Sequence, residues 1–370
     1  MHRRSLLLWL AAAPELVKAD NAANGAAEAL RFPVDFGAHP AARTEWWYVT
    51  GSLQAGARLW GFQVTFFRVS TGIGAGAAGA APATPATSRF TPAHLLFAHA
   101  AITDLEGKRL RHDQRIARAG FGIAQARGDD TGLVLRDWRL ARTPSPADPT
   151  LSRYATRVAS DSAGFALDLQ LDATQPLLLQ GDAGLSRKGP APGDTSRYYS
   201  EPQLATRGTL TLDGRATAVE GRAWLDHEWS DAFVPAGAVG WDWIGMNLDD
   251  GSALTAFRLR RADGGSVYAG GSLRRAGAAV RNFGPSDVSF TPGRVWESPS
   301  SRARYPVQWT ITTPVGRYTV AALLANQELD SRGSTGAIYW EGLNDLLDES
   351  GRQVGRGYLE MTGYAAALRL

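Results

Sequence analysis

The sequence predicts an all-β chain folded as two tandem antiparallel barrels. Three features carry that expectation: short alternating or aromatic-rich runs, Gly, Asp-Gly and Pro punctuation between them, and an internal repeat. The clearest runs are "FALDLQLDA" at 165–173, "GTLTLDGRATAVEGRAWLDHEW" at 208–229 and "GRYTVAALLA" at 316–325. Helical periodicity is scarce. At 370 residues the chain is long enough for two domains, each burying its own core.

The chain opens with "MHRRSLLLWLAAAPELVKADNAANGAAEA". His2 to Arg4 form a positive region and Leu6 to Ala13 a short apolar one, so residues 1–30 read as a bacterial export leader and the mature protein as periplasmic or secreted. The alternative is an Ala-rich tail on a cytoplasmic protein. A lipoprotein anchor is excluded because no cysteine is present to carry the lipid, and disulfides and thiolate chemistry fall with it. No later stretch approaches the roughly 18–20 apolar residues of a membrane span. Net charge is only +3 and the basic residues are scattered, so no nucleic-acid patch is defined.

The first strand is "TEWWYVTG" at 44–51. Glu45 shares a face with Trp47 and Val49, while Thr44, Trp46 and Tyr48 occupy the other. A carboxyl set among aromatics is either a general acid with a raised pKa or an ion-pair staple to an arginine such as Arg43 or Arg68. Next, "GIGAGAAGAAPATPATS" at 72–88 is low-complexity and reads as a mobile hairpin loop. Its formal Gly-x-Gly-x-x-Gly at Gly74, Gly76 and Gly79 is a decoy, because Pro82 and Pro85 stand where a phosphate-binding helix would begin.

The repeat aligns "WWYVTGSLQAGARLWGFQVTFFR" with "WDWIGMNLDDGSALTAFRLRR". Trp46 matches Trp241, Leu53 Leu248, Gly56 Gly251, Leu59 Leu254 and Phe62 Phe257, all 195 apart. The closing strands also match, "GRAWLD" at 221–226 against "GRGYLE" at 355–360. Two copies of one unit follow, with domains at 31–235 and 236–370 and the crossing in "SDAFVPAGAVG". If each closing strand pairs with its own opening strand, the result is an up-and-down barrel able to enclose a small ligand.

The densest ionisable cluster is "AWLDHEWSD" at 223–231. Leu225, His227 and Trp229 share the more apolar face, taken as inward, and Asp226 and Glu228 share the other. His227 is either a neutral base in the interior or a structural histidine; Asp226 and Glu228 are either part of the site or a solvated edge. His94 and His99 are five apart, which sends them to opposite strand faces, and no metal-ligand set or cofactor motif occurs, so neither metal nor cofactor is expected. "RGSTG" at 332–336 matches a nucleophile elbow only loosely, which disfavours a serine hydrolase. Trp46, Trp47, Tyr48, Trp229, Trp241, Trp243 and His99 are the candidates for lining a ligand cavity.

In order, "TEWWYVTG", "AHAAITD", "LQGDAGLSRKG", "RYYSEP", "WLDHEWS", "GWDWIGMNLDDGS", "YWEG" and "GYLEMTGY" resemble the AttH-like family that includes carotenoid 1,2-hydratase (hydroxyneurosporene synthase). The resemblance implies two lipocalin-like barrels and a hydrophobic small-molecule partner. In the hydratase branch it implies water addition to a terminal double bond, using a His-x-Trp step matched by His227 and Trp229. The family's Tyr-x-Asp step is absent from "LTAFRLR" at 254–260, which leaves Glu45, Asp226 or Asp242 to supply the proton. Two functions follow: an exported hydratase or hydrolase using His227 with Glu45, Asp226 or Glu228, or a non-catalytic carrier of a lipid or terpenoid. The crowding of His, Asp and Glu on one strand favours the enzyme.

Overall fold

The computed structural model describes residues 29–73, 91–231 and 234–368. Residues 1–28 of the leader expected at 1–30, and the Gly74, Gly76 and Gly79 decoy, lie outside the described residues. Apart from the 3-10 turn Val34–Phe36, the described secondary structure is strand throughout.

Two large antiparallel sheets form two lipocalin-like barrels. In the first, Thr44–Ala55, Arg58–Ser70, His94–Asp104 and Arg109–Arg118 make a meander. The free edge of Thr44–Ala55 is taken by Arg215–Ser230, which pairs onward with Thr195–Leu212, Phe165–Asp172 and Ser152–Ser160. In the second, Gly240–Leu248 lies between Ala253–Arg260 and Gln353–Met361, and Gln353–Met361 pairs onward with Ala337–Leu347. The last long strand of each sheet thus closes on the first, as expected for an up-and-down arrangement.

The opening and closing strands repeat residue by residue. Tyr48 pairs with Asp226 and Gly51 with Ala223; at the equivalent positions Trp243 pairs with Glu360 and Met246 with Gly357. Gly221 and Gly355 are equivalent too, and a Cβ on Gly221 would sit 1.9 Å from the Ser52 carbonyl oxygen. Gly221→Ala is therefore expected to force two ladder strands apart and destabilise the fold by about 1–3 kcal/mol, read from urea unfolding.

The second strands break the repeat. Phe62 pairs with Gly51, whereas Phe257 pairs with Trp243, the equivalent of Tyr48, so the register slips by three. An odd slip exchanges faces. Phe62 accordingly packs in the first barrel's core and Phe257 in a cluster between the sheets, which corrects the sequence pairing of the two phenylalanines. The cause is the earlier turn of the second hairpin, after Leu248.

The interface between the barrels has its own apolar cluster. Trp47, Val49, Leu225 and Trp229 pack inside the first barrel, while Tyr48, Trp224, Trp243, Phe257 and Tyr358 pack between the two. Both faces of Thr44–Ala55 and Arg215–Ser230 are thereby buried over most of their length.

Candidate active site between the barrels

The two faces of the paired strands Thr44–Ala55 and Arg215–Ser230 carry two different polar clusters. The inner face holds Glu45 and His227, both fully buried. Arg68 Nε donates to Glu45 Oε2 at 2.8 Å, the His39 amide reaches both carboxylate oxygens at 3.0 Å, and His39 Nδ1 and His227 Nε2 lie 2.8 and 2.9 Å from Oε1. Burial opposes ionisation of Glu45, but His227, His39 and Arg68 outweigh it and hold the carboxyl well below the usual range. Burial also pushes the His227 imidazole down, with the Glu45 hydrogen bond only partly offsetting it. A carboxylate can only accept, so the neutral ring carries its proton on Nε2 and accepts at Nδ1 from the Tyr199 hydroxyl, 3.0 Å away. Trp47 stacks on His227 and Trp229 on His39, with centroids 4.5 and 3.6 Å apart.

His39, Glu45 and His227 present ligand atoms within 4.8 Å of one another, a spacing that suits a cation. The donor set argues otherwise. The acceptor positions of Glu45 are filled by N–H groups, one of them from the Arg68 guanidinium, so protons already occupy the place of an ion. Of the two arrangements its sequence setting allowed, Glu45 makes the ion pair, with Arg68 as its partner at 2.8 Å.

The outer face of the same strands borders a cavity of about 230 Å³ between the barrels. Of the candidate lining residues, Trp46, Tyr48, Trp241, Trp243 and His99 border it, as do Asp226 and Glu228. Glu45, Trp47, His227 and Trp229 do not: they lie on the inner face, behind this wall. The inward direction of His227 is as expected, yet the cavity is on the other side. Asp226 and Glu228 do not form a solvated edge; both are buried.

The cavity is rich in carboxyl groups. Asp226 is pushed up to about 7 by burial, moderated by hydrogen bonds from Ser200 Oγ at 2.5 Å and Trp224 Nε1 at 2.7 Å. Its repeat equivalent, Glu360, is likewise pushed to about 7 by burial, moderated by Trp241 Nε1 donating at 3.0 Å, while the Asp226 charge raises it further. Glu341 pairs across the ladder with Glu360, and burial followed by the Glu360 charge keeps its carboxyl protonated well above the usual range. Glu228 is different, bonded to Lys188 Nζ at 2.9 Å, and that ammonium also lies over the Tyr198 and Phe257 rings. Glu341 and Glu360 escaped the sequence reading although both stand in its own motifs, "YWEG" and "GYLE"; the equivalence of Glu360 with Asp226 was the available signal.

These raised values have a stability consequence. Between the ordinary carboxyl range and about 7, the unfolded chain has released protons that folded Asp226 and Glu360 still hold, so folding weakens as pH rises through that window. Unfolding measured from about pH 5 to about pH 8 is expected to show a decline that shrinks in Asp226→Asn with Glu360→Gln.

His99 forms the far wall. Burial lowers its pKa to about 3, and the neutral ring lies 2.7 Å from the Tyr339 hydroxyl at Nδ1 and 2.9 Å from Ser334 Oγ at Nε2. Ser334 belongs to "RGSTG", so folding does bring this serine to a histidine, a pairing the sequence did not reveal. Gln114 Nε2 donates to the Asp330 carbonyl, which turns Oε1 toward Ser334; the serine hydroxyl donates there at 2.5 Å. His99 then donates to Ser334 and accepts from Tyr339, which leaves the serine without a base.

A family model described as AttH-like matches residues 23–364. A crystal structure of a candidate AttH from Nitrosomonas europaea is 42% identical, with a TM-score of 0.81, covering 92% of this chain and 98% of that chain. Kievitone hydratase from Nectria haematococca shares the fold at 16% identity and a TM-score of 0.68, covering 93% of this chain and 95% of that one. Among curated proteins none matches the chain.

Proposed function

The chain belongs to the AttH-like family, and on that premise we propose that it binds a small hydrophobic molecule between its barrels and adds water across a carbon–carbon double bond. The observation that carries this reading is the set of buried, protonatable carboxyls, Asp226, Glu360 and Glu341, in a cavity walled by Trp46, Tyr48 and Trp243. Alkene hydration needs an acid aimed at carbon, faces that tolerate a cation, and an acceptor for the proton that water gives up. In this scheme a protonated carboxyl of the Asp226 and Glu360 pair transfers its proton to one alkene carbon. The positive charge forming on the other carbon is stabilised by the indole and phenol faces and by the carboxylate just left behind. Water adds at that carbon, and its surplus proton returns to a carboxylate, so the site ends as it began. His227 and Glu45 support the strand that carries Asp226 and do not touch the substrate. A hydratase of this fold, kievitone hydratase, is consistent with such chemistry.

The test is incubation of the purified protein in oxygen-labelled water with short alkenes and their acyl esters, followed by mass spectrometry. Label on an intact carbon skeleton supports hydration, label in a released acid indicates hydrolysis, and unchanged but retained compounds indicate a carrier. Because the donor must be protonated, turnover is expected to fall as pH rises through about 7. Export is part of the same proposal: the periplasmic fraction should contain a form shortened by the leader, and a full-length cytoplasmic product overturns it.

A further inference from the structure

We infer that the interbarrel cavity takes organic cations with an apolar tail, and that a wall carboxyl releases its proton to solvent as the cation enters. The inference rests on that cavity being the ligand site, and charge and geometry carry it. Four carboxyl residues border the cavity, Asp226, Glu228, Glu341 and Glu360, against one ammonium, Lys188, which Glu228 already holds at 2.9 Å. An entering cation therefore meets acids whose own counter-ion is spent on one of the four.

The repeat arranges the remaining acids about the aromatic wall. Tyr48 pairs across the ladder with Asp226 and Trp243 with Glu360, and the Tyr48 and Trp243 rings meet edge to face at 5.4 Å. Each barrel thus brings one acid and one aromatic ring to the same junction. Glu360 is the accessible member: it is half-buried, and among the described residues its carboxyl receives a single hydrogen bond, from Trp241 Nε1, which leaves an oxygen for a ligand. Trp46 and Trp241, also half-buried, add ring surface, and Phe67, Phe97 and Leu259 offer a tail an apolar path. Aromatic faces attract an alkylammonium through the ring quadrupole while receiving its methyl groups, and a carboxylate beside them offsets the cost of burying the charge.

The proton release follows from the state of these acids. Asp226 and Glu360 hold protons up to about 7, and a neighbouring cation favours their ionised form. The groups that surround them do not titrate in this range. The Tyr48, Tyr198, Tyr339 and Tyr358 phenols are raised well above their ordinary value by burial, Glu341 keeps its proton higher still than its two neighbours, burial depresses His99 to about 3, and Glu228 is tied to Lys188.

The experiment titrates the full chain calorimetrically with phenylpropyl trimethylammonium and with the neutral tertiary alcohol that has a hydroxyl-bearing carbon in place of the nitrogen. Near pH 8 the cation is expected to bind at least tenfold more tightly than the alcohol. Its affinity should fall about tenfold between about pH 8 and about pH 6, the linkage of one proton on a group titrating near 7, while that of the alcohol should not. Titrations in phosphate and in Tris at the lower pH should differ by the ionisation heat of close to one released proton, and the quaternary head has none of its own to give. Asp226→Asn with Glu360→Gln should remove both the release and the pH dependence. Equal affinity, a tighter alcohol, no binding of either compound, or cation binding without proton release overturns the inference, and these wild-type readings decide it even if the variant fails to fold. Turnover is a separate readout with the opposite pH sign. Alkene hydration by a protein indifferent to the cation would leave the proposed chemistry standing and sink this inference, whereas a cation preference in a protein that hydrates nothing would do the reverse.

Discussion

Glu45→Gln is expected to lower the free energy of unfolding by about 3–5 kcal/mol at neutral pH, the range for removing one member of a buried ion pair. Arg68 is 2% exposed, and besides Glu45 Oε2 its guanidinium is held by the His39 and Ala42 carbonyls and by His94 Nδ1. Removing the carboxylate charge leaves that cation buried without its counter-ion, and the single amide oxygen of glutamine can accept from Arg68 or from His39 and His227 but not from both sides, where the carboxylate served both. The same carboxylate ties the segment before the first strand, through His39, to the barrel wall. The pH dependence has a definite sign. The folded pKa of Glu45 is depressed from 4.5, so its contribution is fully present above the ordinary value and is lost as pH falls toward the folded one. Depression of His227 acts in the same direction below 6.5, because the unfolded ring takes up protons that the folded ring refuses. The measurement is urea unfolding of wild type and variant across the acid range. A loss under 1 kcal/mol would sink the staple reading and return Glu45 to the list of reactive acids.

Asp226→Asn combined with Glu360→Gln is expected to do the reverse: little change in stability at mildly acidic pH, and turnover reduced by about 10²–10⁴. Both side chains are held largely protonated there by burial, so a neutral amide of the same shape replaces a neutral acid. Partners also survive, since Trp224 and Trp241 can donate to an amide oxygen as they do to the carboxyl. What the amides cannot do is give a proton to carbon. Substrate affinity should persist while the maximal rate falls, the signature of a group needed in the transition state and not for binding. Single variants identify the donor: replacing it removes turnover, whereas replacing the other carboxyl leaves turnover that still falls as pH rises through about 7. Wild-type turnover in the double variant would eliminate both acids, leaving Glu341 as the remaining buried carboxyl of the cavity outside an ion pair.

The contrast between these two substitutions reflects what was legible in the residues. Sequence alone determined the all-β class, the two tandem units and the pairing of their first and last strands, because strand period, turn residues and repeat offsets are local properties written at fixed spacings. Those offsets even carried Asp226 onto Glu360, a correspondence that survives in the register to the residue. Alternation also separated His227 from Asp226 correctly. It could not say which face was the wall of the ligand cavity, since in a strand buried on both sides neither face is marked by polarity. Only the docking of one barrel on the other decided that. The cavity arises between the barrels, where Trp46 and Tyr48 meet Trp241 and Trp243, so burial raises the acids on that side while Glu45, on the opposite side, is ionised by the arginine and histidines that surround it. Charge state depends on neighbours brought together from distant parts of the chain, and tertiary packing alone supplies them.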